Sequence, residues 1–245
     1  MTRYKCKVSY DGTMFAGYQV QPDKRTVQGE IEKALKKLHK GHEVKVNASG
    51  RTDAGVHAKG QVIHFDSNLN IPLDRWGVAL NALLPEDIAV INADVAENDF
   101  HARFNAAGKE YRYFVRRSSV RDPFQRNYSF MYPYSLNIEA IKEAADYLIG
   151  KHDFTSFCSA KTDVEDKIRE LKEIALMEEG DLLIFRFVGN GFLYNMVRIL
   201  TGTLLEVGNG SINPKSMPDI LEKKDRSFAG KTAPAQGLYL WEVFY

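Results

Sequence analysis

The residues of this chain whose types and spacing could do chemistry are concentrated in Gly50–Ala58, with the sequence GRTDAGVHA. This stretch holds one carboxylate, Asp53, and the guanidinium of Arg51 two positions before it. Two runs typical of strands flank it, Val44–Asn47 and Gln61–Phe65. A loop between strands is where a rigid scaffold usually presents a reactive group, so Asp53 is a candidate nucleophile or base.

The glycines of this loop favour a tight conformation. Gly50 and Gly55 can adopt backbone angles that a Cβ would forbid, which lets the loop hold one side chain at the edge of a sheet. A structural interpretation is equally open, because an aspartate in a glycine-rich turn often only accepts hydrogen bonds from nearby backbone N–H groups. Arg51 could be a solvated charge, and His57 a hydrogen-bonded loop histidine. Spacing alone does not decide between these interpretations.

The nonamer GRTDAGVHA resembles the signature of the tRNA pseudouridine synthase A family, whose catalytic aspartate corresponds to Asp53. The resemblance covers nearly the full chain and is carried by Tyr10–Gln19, Gly50–Ala58, Tyr111–Tyr113, Asn190–Arg198 and Gly237–Tyr245. One departure is Tyr18, where many relatives have tryptophan. Because the exchange keeps an aromatic ring, it is expected to affect RNA contact detail at most.

The resemblance implies a fold, a substrate and an assembly. The fold is α+β, with two ferredoxin-like halves whose mostly antiparallel sheets join around a central catalytic cleft. The substrates are uridines at positions 38 to 40 of the tRNA anticodon stem-loop, bound by a homodimer across both subunits. The reaction isomerises uridine to pseudouridine without redox change or energy input, so no cofactor is expected. The sequence lacks the Cys/His and HExxH spacings that are typical of metal sites, so no metal site is expected.

Arg198 is the unusual residue of an apolar run, Phe192–Val207, which predicts a buried helix. A guanidinium in such a helix is costly unless a carboxylate or phosphate meets it. An ion pair with any nearby acid would satisfy this need. The resemblance favours Asp53 as the partner, and such a pair would lower the pKa of that carboxyl and keep it ionised.

Tyr111 begins a predicted strand, Tyr111–Val115, beside several arginines. Most strand tyrosines are packing residues. The resemblance instead implies that this tyrosine meets the target base, where an aromatic ring could stack on it. Arg51 is expected to bind a phosphate.

The order of predicted elements suggests two α+β halves, each with strand, helix, strands, helix and strand. Residues 1–105 form the half with the catalytic loop, and residues 106–245 the half with the substrate-contacting strand and the arginine-bearing helix. The predicted helices are Thr26–Lys40, a segment near Leu73–Leu84, Ile138–Ile149 and Phe192–Val207. The remaining predicted strands are Lys5–Tyr10, Ile88–Ile91, Leu182–Phe187 and Leu238–Tyr245.

Composition restricts the partner and the compartment. The net charge is +1, yet residues 103–126 carry seven Lys or Arg against two acids, which predicts either a basic surface for phosphates or a solvated strand. There is no run of about 18 apolar residues that would predict a membrane span. The N-terminus lacks the apolar run of a signal peptide. Cys6 alternates with lysines and is expected to be a buried structural thiol. With only two cysteines, the chain is expected to be cytoplasmic.

Two other classes of function remain open. The first is a non-catalytic RNA-binding module or RNA chaperone that uses the same basic surface. The second is a small-molecule enzyme whose basic strand is incidental. Salt-sensitive tRNA binding would separate the second class from the others, and product formation would separate an enzyme from a binding module.

Overall fold

A computed structural model of the protein describes residues 1–162 and 164–245. These residues contain ten strands and five α-helices. The strands are β1 (Thr2–Tyr10), β2 (Asn47–Ala48), β3 (His57–Ser67), β4 (Ile88–Ala96), β5 (Gly108–Arg116), β6 (Phe130–Met131), β7 (Gly150–Asp153), β8 (Ile168–Glu179), β9 (Leu182–Gly189) and β10 (Leu238–Phe244). The helices are α1 (Val27–Leu38), α2 (Leu73–Asn81), α3 (Ile138–Asp146), α4 (Met196–Gly208) and α5 (Met217–Lys223). Within the described ranges, none of these helices is long and apolar enough to cross a membrane.

The chain forms two compact units. Unit 1 consists of Met1–Ala107 together with Tyr239–Tyr245, and unit 2 of Gly108–Leu238. Nearly all of β10 therefore belongs to unit 1, although it follows unit 2 along the chain. The division into functional halves at residues 105 and 106 stays a prediction.

Unit 1 has the ferredoxin-like order of strands. β1 lies between β4 and β3 and is antiparallel to both, and β2 pairs with β3 on its other side. With α1 and α2 as the connections, this is the β-α-β-β-α-β arrangement. The start of β10 runs parallel to the start of β3, with Tyr239 beside His57 and Leu240 beside Ala58.

Unit 2 repeats much of this plan. β9 lies between β5 and β8, antiparallel to both, and β7 extends the sheet beyond β8. α3 and α4 pack closely at Gly208, where a Cβ would lie 2.6 Å from a side-chain carbon of Ile141. Both units are mixed α/β with mostly antiparallel strands, so the predicted fold class is confirmed.

The alternating pattern of β1 gives unit 1 its core. Cys6, Val8 and Tyr10 are buried on one face of the strand. Tyr4, on the same face, has its ring centroid 4.5 Å from that of Trp76 on α2. Burial raises the pKa of the Cys6 thiol to about 12, so this cysteine is the inert structural thiol that the sequence predicts.

Two predicted segments differ in the structure, one because side chains take over backbone hydrogen bonds and the other because of a left-handed residue. Of the run Val44–Asn47 only Asn47 pairs in a strand, Asn47–Ala48, since Val46 donates its N–H to Glu32 and accepts from the Gln28 amide instead. The predicted helix Phe192–Val207 begins only at Met196, because Asn195 has a φ of 60°. Such a left-handed residue cannot lie inside a right-handed helix.

β8 is a twelve-residue strand that the sequence did not predict. Its register shifts between Leu171 and Glu173 where it pairs with β9. An irregularity of this kind interrupts the alternation by which strands are identified.

His64 is a buried histidine at the centre of β3. Its Nδ1 accepts the backbone N–H of Ala102 at 3.1 Å, and its ring lies edge-on to His101 with centroids 4.7 Å apart. Burial, followed by the nearby charges of His101 and Arg3, lowers the pKa of His64 to about 4, while Asp66 acts in the opposite direction.

The free energy of unfolding is expected to fall as the pH decreases from 6.5 to 4. Above pH 6.5 the histidine is neutral in both states; below it, the unfolded chain takes up a proton that the folded chain accepts only near pH 4. The free energy of unfolding is therefore expected to be lower by about 3 kcal/mol at pH 4 than at pH 6.5. Urea unfolding at several pH values measures it. His64→Asn keeps an acceptor for Ala102 and should flatten this part of the profile; an equal slope in both proteins would contradict the assignment.

Candidate active site

Asp53 lies in a tight loop immediately before β3. The N–H of Val56 donates to the carbonyl of Asp53 at 3.1 Å, which closes the turn. Gly55 has a φ of 76°, as the sequence predicts. Gly50 does not use this freedom, because its φ is not positive. Arg51 is exposed and Asp53 half-buried, so this loop presents both side chains while its backbone stays folded against unit 1.

Three hydrogen bonds hold the backbone just before Asp53. The carbonyl of Thr52 accepts the N–H of Tyr18 at 3.0 Å. The buried hydroxyl of Thr52 is 2.8 Å from that of Tyr10. The side-chain amide of Gln61 donates to the carbonyl of Gly50 at 2.9 Å. The aspartate is therefore anchored from β1, from β3 and from the segment that follows β1.

Two glycines in the segment after β1 allow its backbone to lie directly against the backbone of the Asp53 loop. A Cβ on Gly12 would lie 2.0 Å from the carbonyl oxygen of Val56, which no side chain could tolerate. Gly17 has a φ of 105°, and a Cβ there would lie 3.0 Å from the carbonyl oxygen of Thr52. The sequence patterns predicted no role for Gly12 or Gly17. The signal was present, since both glycines lie in the stretch Tyr10–Gln19 that carries the resemblance.

His57 has a structural part in this loop. It is buried, its Nδ1 accepts the N–H of Gly12 at 3.0 Å, and its ring stacks on Tyr239 with centroids 4.6 Å apart. The same nitrogen is 3.1 Å from a carboxylate oxygen of Asp11. Asp11 also accepts the backbone N–H of Thr13 at 2.9 Å. His57 is thus the hydrogen-bonded loop histidine that the sequence left open, and it ties Asp11 and Gly12 to the start of β3.

Tyr18 is not an RNA contact. Its ring is only 3% exposed and packs beside Tyr10, with centroids 6.4 Å apart. The exchange of tryptophan for tyrosine therefore concerns the packing behind the Asp53 loop, and the interpretation as a detail of RNA contact is wrong.

Tyr111 belongs to unit 2, on β5. It is buried, and its ring lies edge-on to that of Phe192 with centroids 4.9 Å apart. Phe192 belongs to the segment that leads into α4, so Tyr111 lies on the α4 side of the sheet of unit 2.

Arg198 also belongs to unit 2, in the first turn of α4. Its Nε donates to the carbonyl of Ala233 at 2.8 Å, and its Nη1 to the side-chain oxygen of Asn195 at 2.9 Å. These bonds hold the guanidinium in one orientation. A cation at a helix N-terminus is opposed by the helix dipole, so this position favours an anion close by. The predicted ion pair with Asp53 stays a prediction.

Much of the predicted basic surface is neutralised by ion pairs. Arg112 is 2.6 Å from Glu110, Arg116 is 2.6 Å from Asp181, and Arg117 is 2.6 Å from Glu178. Glu110 lies on the same strand as Arg112 and is one of the two acids in the charge count, whereas Glu178 at the end of β8 and Asp181 in the turn before β9 lie outside residues 103–126 and could not be included. Three of the seven basic residues therefore have carboxylate partners.

In the described parts of the chain, no group of three or more His, Cys, Asp or Glu side chains could hold a metal ion. Of the predicted site residues, Asp53 and Arg51 lie in one loop of unit 1, whereas Tyr111 and Arg198 lie in unit 2.

Among solved structures, the archaeal box H/ACA sRNP Nop10–Cbf5 complex is similar with a TM-score of 0.36 and 13% identity, over 96% of this chain and 59% of that chain. A score this low supports no conclusion about fold or function.

A family model matches most of the chain, and curated proteins are similar to it along its full length. The family model described as tRNA pseudouridine synthase matches residues 7–105 and 144–245. tRNA pseudouridine synthase A 1 of Bacillus cereus (strain ATCC 10987 / NRS 248) is 60% identical over 245 residues, covering 100% of this chain and 99% of that protein. tRNA pseudouridine synthase A of Bacillus subtilis (strain 168) is 58% identical over 244 residues, covering 99% of each. A match over most of the chain, with relatives of this identity along its full length, means that the chain belongs to the tRNA pseudouridine synthase family.

Proposed function

We propose that this protein isomerises uridine to pseudouridine at positions 38 to 40 of the tRNA anticodon stem-loop, with Asp53 as the catalytic group. Family membership supports the reaction. The observation that carries the assignment of Asp53 is the clamped loop, in which the residues around the aspartate are held from both sides while its side chain stays partly accessible.

The chemistry needs a positioned carboxylate and little else. The C1′–N1 bond breaks, the uracil turns, and C1′ joins C5, whose proton is lost while N1 gains one. Asp53 acts as nucleophile or base, at C6 of uracil or on the ribose. Because the base must leave its stack before a side chain can reach it, the enzyme also has to hold a flipped nucleotide.

Arg198, Tyr111 and Arg51 take the remaining roles. Arg198 orients Asp53 and keeps it ionised; its fixed guanidinium at a helix N-terminus supports a role in binding an anion. Tyr111 stacks on the uracil and assists removal of the C5 proton. Arg51, exposed beside Asp53, binds a phosphate of the RNA.

The assembly and the compartment are part of the proposal. We assign the protein to the cytoplasm, as a homodimer that binds one tRNA across both subunits. The free, buried state of Cys6 and Cys158 agrees with a reducing compartment.

Replacing Asp53 with asparagine is expected to lower turnover by a factor of about 100 to 10,000 or more, because the amide can neither attack nor accept a proton. Binding of tRNA should be nearly unchanged, since the side chain keeps its size. Tritium release from C5-labelled uridine in an unmodified tRNA transcript measures turnover, and filter binding measures affinity.

The matched control for this variant is Asp23→Asn, the same exchange at an exposed residue of unit 1. Asp23 has a φ of 55°, a conformation that asparagine tolerates. Normal tritium release by the Asp53 variant would refute the catalytic assignment. Tight tRNA binding by the wild-type protein without release would favour the RNA-binding module.

Replacing Gly12 with alanine is expected to lower kcat strongly, because the new Cβ would lie 2.0 Å from the Val56 carbonyl oxygen and would displace the Asp53 loop. A displacement of about 1 Å can cost roughly 100-fold in rate. The measurement is single-turnover tritium release per folded molecule, with folding checked by circular dichroism.

Gly77→Ala is the control in the same unit, since the nearest atom to its new Cβ is 3.8 Å away. This variant should fold and react like the wild type. A folded Gly12→Ala protein with normal kcat would show that the clamp does not position the catalytic group.

A further inference from the structure

The connection between β5 and β6 presents apolar side chains to solvent. We call residues 118–128 the β5–β6 loop. Within it, Phe124 is 85% exposed and Val120 is 74% exposed. Single exposed apolar side chains are common on protein surfaces, so the order and the charge of this loop decide whether it is a binding site.

The β5–β6 loop is an ordered turn and not a loose chain. The carboxylate of Asp122 accepts the N–H of Phe124 at 2.9 Å, and its carbonyl accepts the N–H of Gln125 at 3.2 Å. Pro123 restricts the backbone between them. Ser118 closes the other end by accepting the N–H of Val120 at 3.1 Å. The ring of Phe124 is therefore held outward by the backbone, which lowers the entropy lost when it binds a partner.

The charges of the loop differ from those of the strand before it. Arg116 and Arg117 are in ion pairs at 2.6 Å with Asp181 and Glu178. Arg121 and Arg126 are exposed, and in the described parts of the chain neither is in an ion pair. The acid between them, Asp122, lies 3.8 Å from Arg116. Two uncompensated guanidinium groups thus flank the exposed phenylalanine.

The distance from Tyr111 indicates which part of an RNA could reach this loop. Arg116 ends β5, five residues after Tyr111. At about 3.3 Å per residue the end of β5, from which the loop continues, lies roughly 17 Å from Tyr111, which corresponds to about five stacked nucleotides. A contact here would lie beyond the target nucleotide.

We propose that the β5–β6 loop is a second RNA contact, at which Phe124 stacks on a base or ribose and Arg121 and Arg126 bind phosphates. The inference rests on the proposed function and extends it from the target uridine to RNA several nucleotides away. An exposed ring between arginines is the combination by which proteins bind single-stranded nucleic acid. The positive charge favours a polyanion over a second copy of the same surface, which would be repelled.

The test is the affinity of the full-length protein for an unmodified tRNA transcript, measured by fluorescence anisotropy at several salt concentrations. The double variant R121Q/R126Q should raise Kd about tenfold and lower the slope of log Kd against log salt by about 1.4. Phe124→Ala should raise Kd about fivefold or more with the salt slope unchanged, whereas Phe124→Tyr should keep the affinity.

The controls carry the same changes elsewhere in unit 2. K172Q/K215Q removes two exposed positive charges, and Phe228→Ala removes another exposed ring. Circular dichroism and sedimentation monitor folding and mass. If the loop variants match these controls in Kd and salt slope, the inference is wrong. A change of mass with unchanged RNA affinity would show that the loop binds another copy of the chain.

The test of the β5–β6 loop can fail or succeed independently of the test of the proposed function, because RNA affinity is measured without measuring turnover. Loop-dependent binding by a wild-type protein that releases no tritium would refute the synthase and leave the RNA contact intact. Tritium release that is normal, combined with loop variants that behave like the controls, would refute the RNA contact alone.

Discussion

The close approach of two backbones is the constraint on which the Asp53 loop depends. Gly12 lies against the Val56 carbonyl so tightly that any side chain would separate the two segments. A Cβ on Gly17 would lie 3.0 Å from the carbonyl oxygen of Thr52, and the N–H of Tyr18 donates to that same oxygen. The backbone around Asp53 is therefore held on both sides, although it lies in a loop. Preorganisation of this kind lowers the barrier of a reaction because the reacting groups need no rearrangement.

In unit 2, carboxylates pair with the arginines of β5 and β9, so these arginines stabilise the fold and are not free to bind another anion. The buried carboxylate of Glu110 is 2.6 Å from Arg112 and 3.0 Å from Arg186, so the strand arginines stabilise the sheet. A buried carboxylate without such partners would be strongly destabilising. Arg121 and Arg126, which follow β5, are in no ion pair in the described parts of the chain.

Local patterns in the sequence determined the fold class, most elements and the tight loop that carries Asp53. Alternation placed β1 with its buried Cys6, and the glycine-rich nonamer placed Asp53 in a tight turn before β3, because both signals depend on neighbouring residues. The patterns failed where other parts of the chain intervene. The side chains of α1 took the hydrogen bonds of Val46, and a register shift hid β8.

Only the tertiary structure decided what surrounds these residues. It revealed the glycines that clamp the Asp53 loop, the burial of Tyr18, and the ion pairs that neutralise Arg112, Arg116 and Arg117. Apart from the pair of Arg112 with Glu110, these facts join residues far apart in sequence, such as Arg116 and Asp181. A linear pattern records residue types and spacing, whereas desolvation and charge compensation depend on which atoms meet in space. The sequence by itself therefore determined which residues could react, and the fold decided which of them are held in place and which remain exposed.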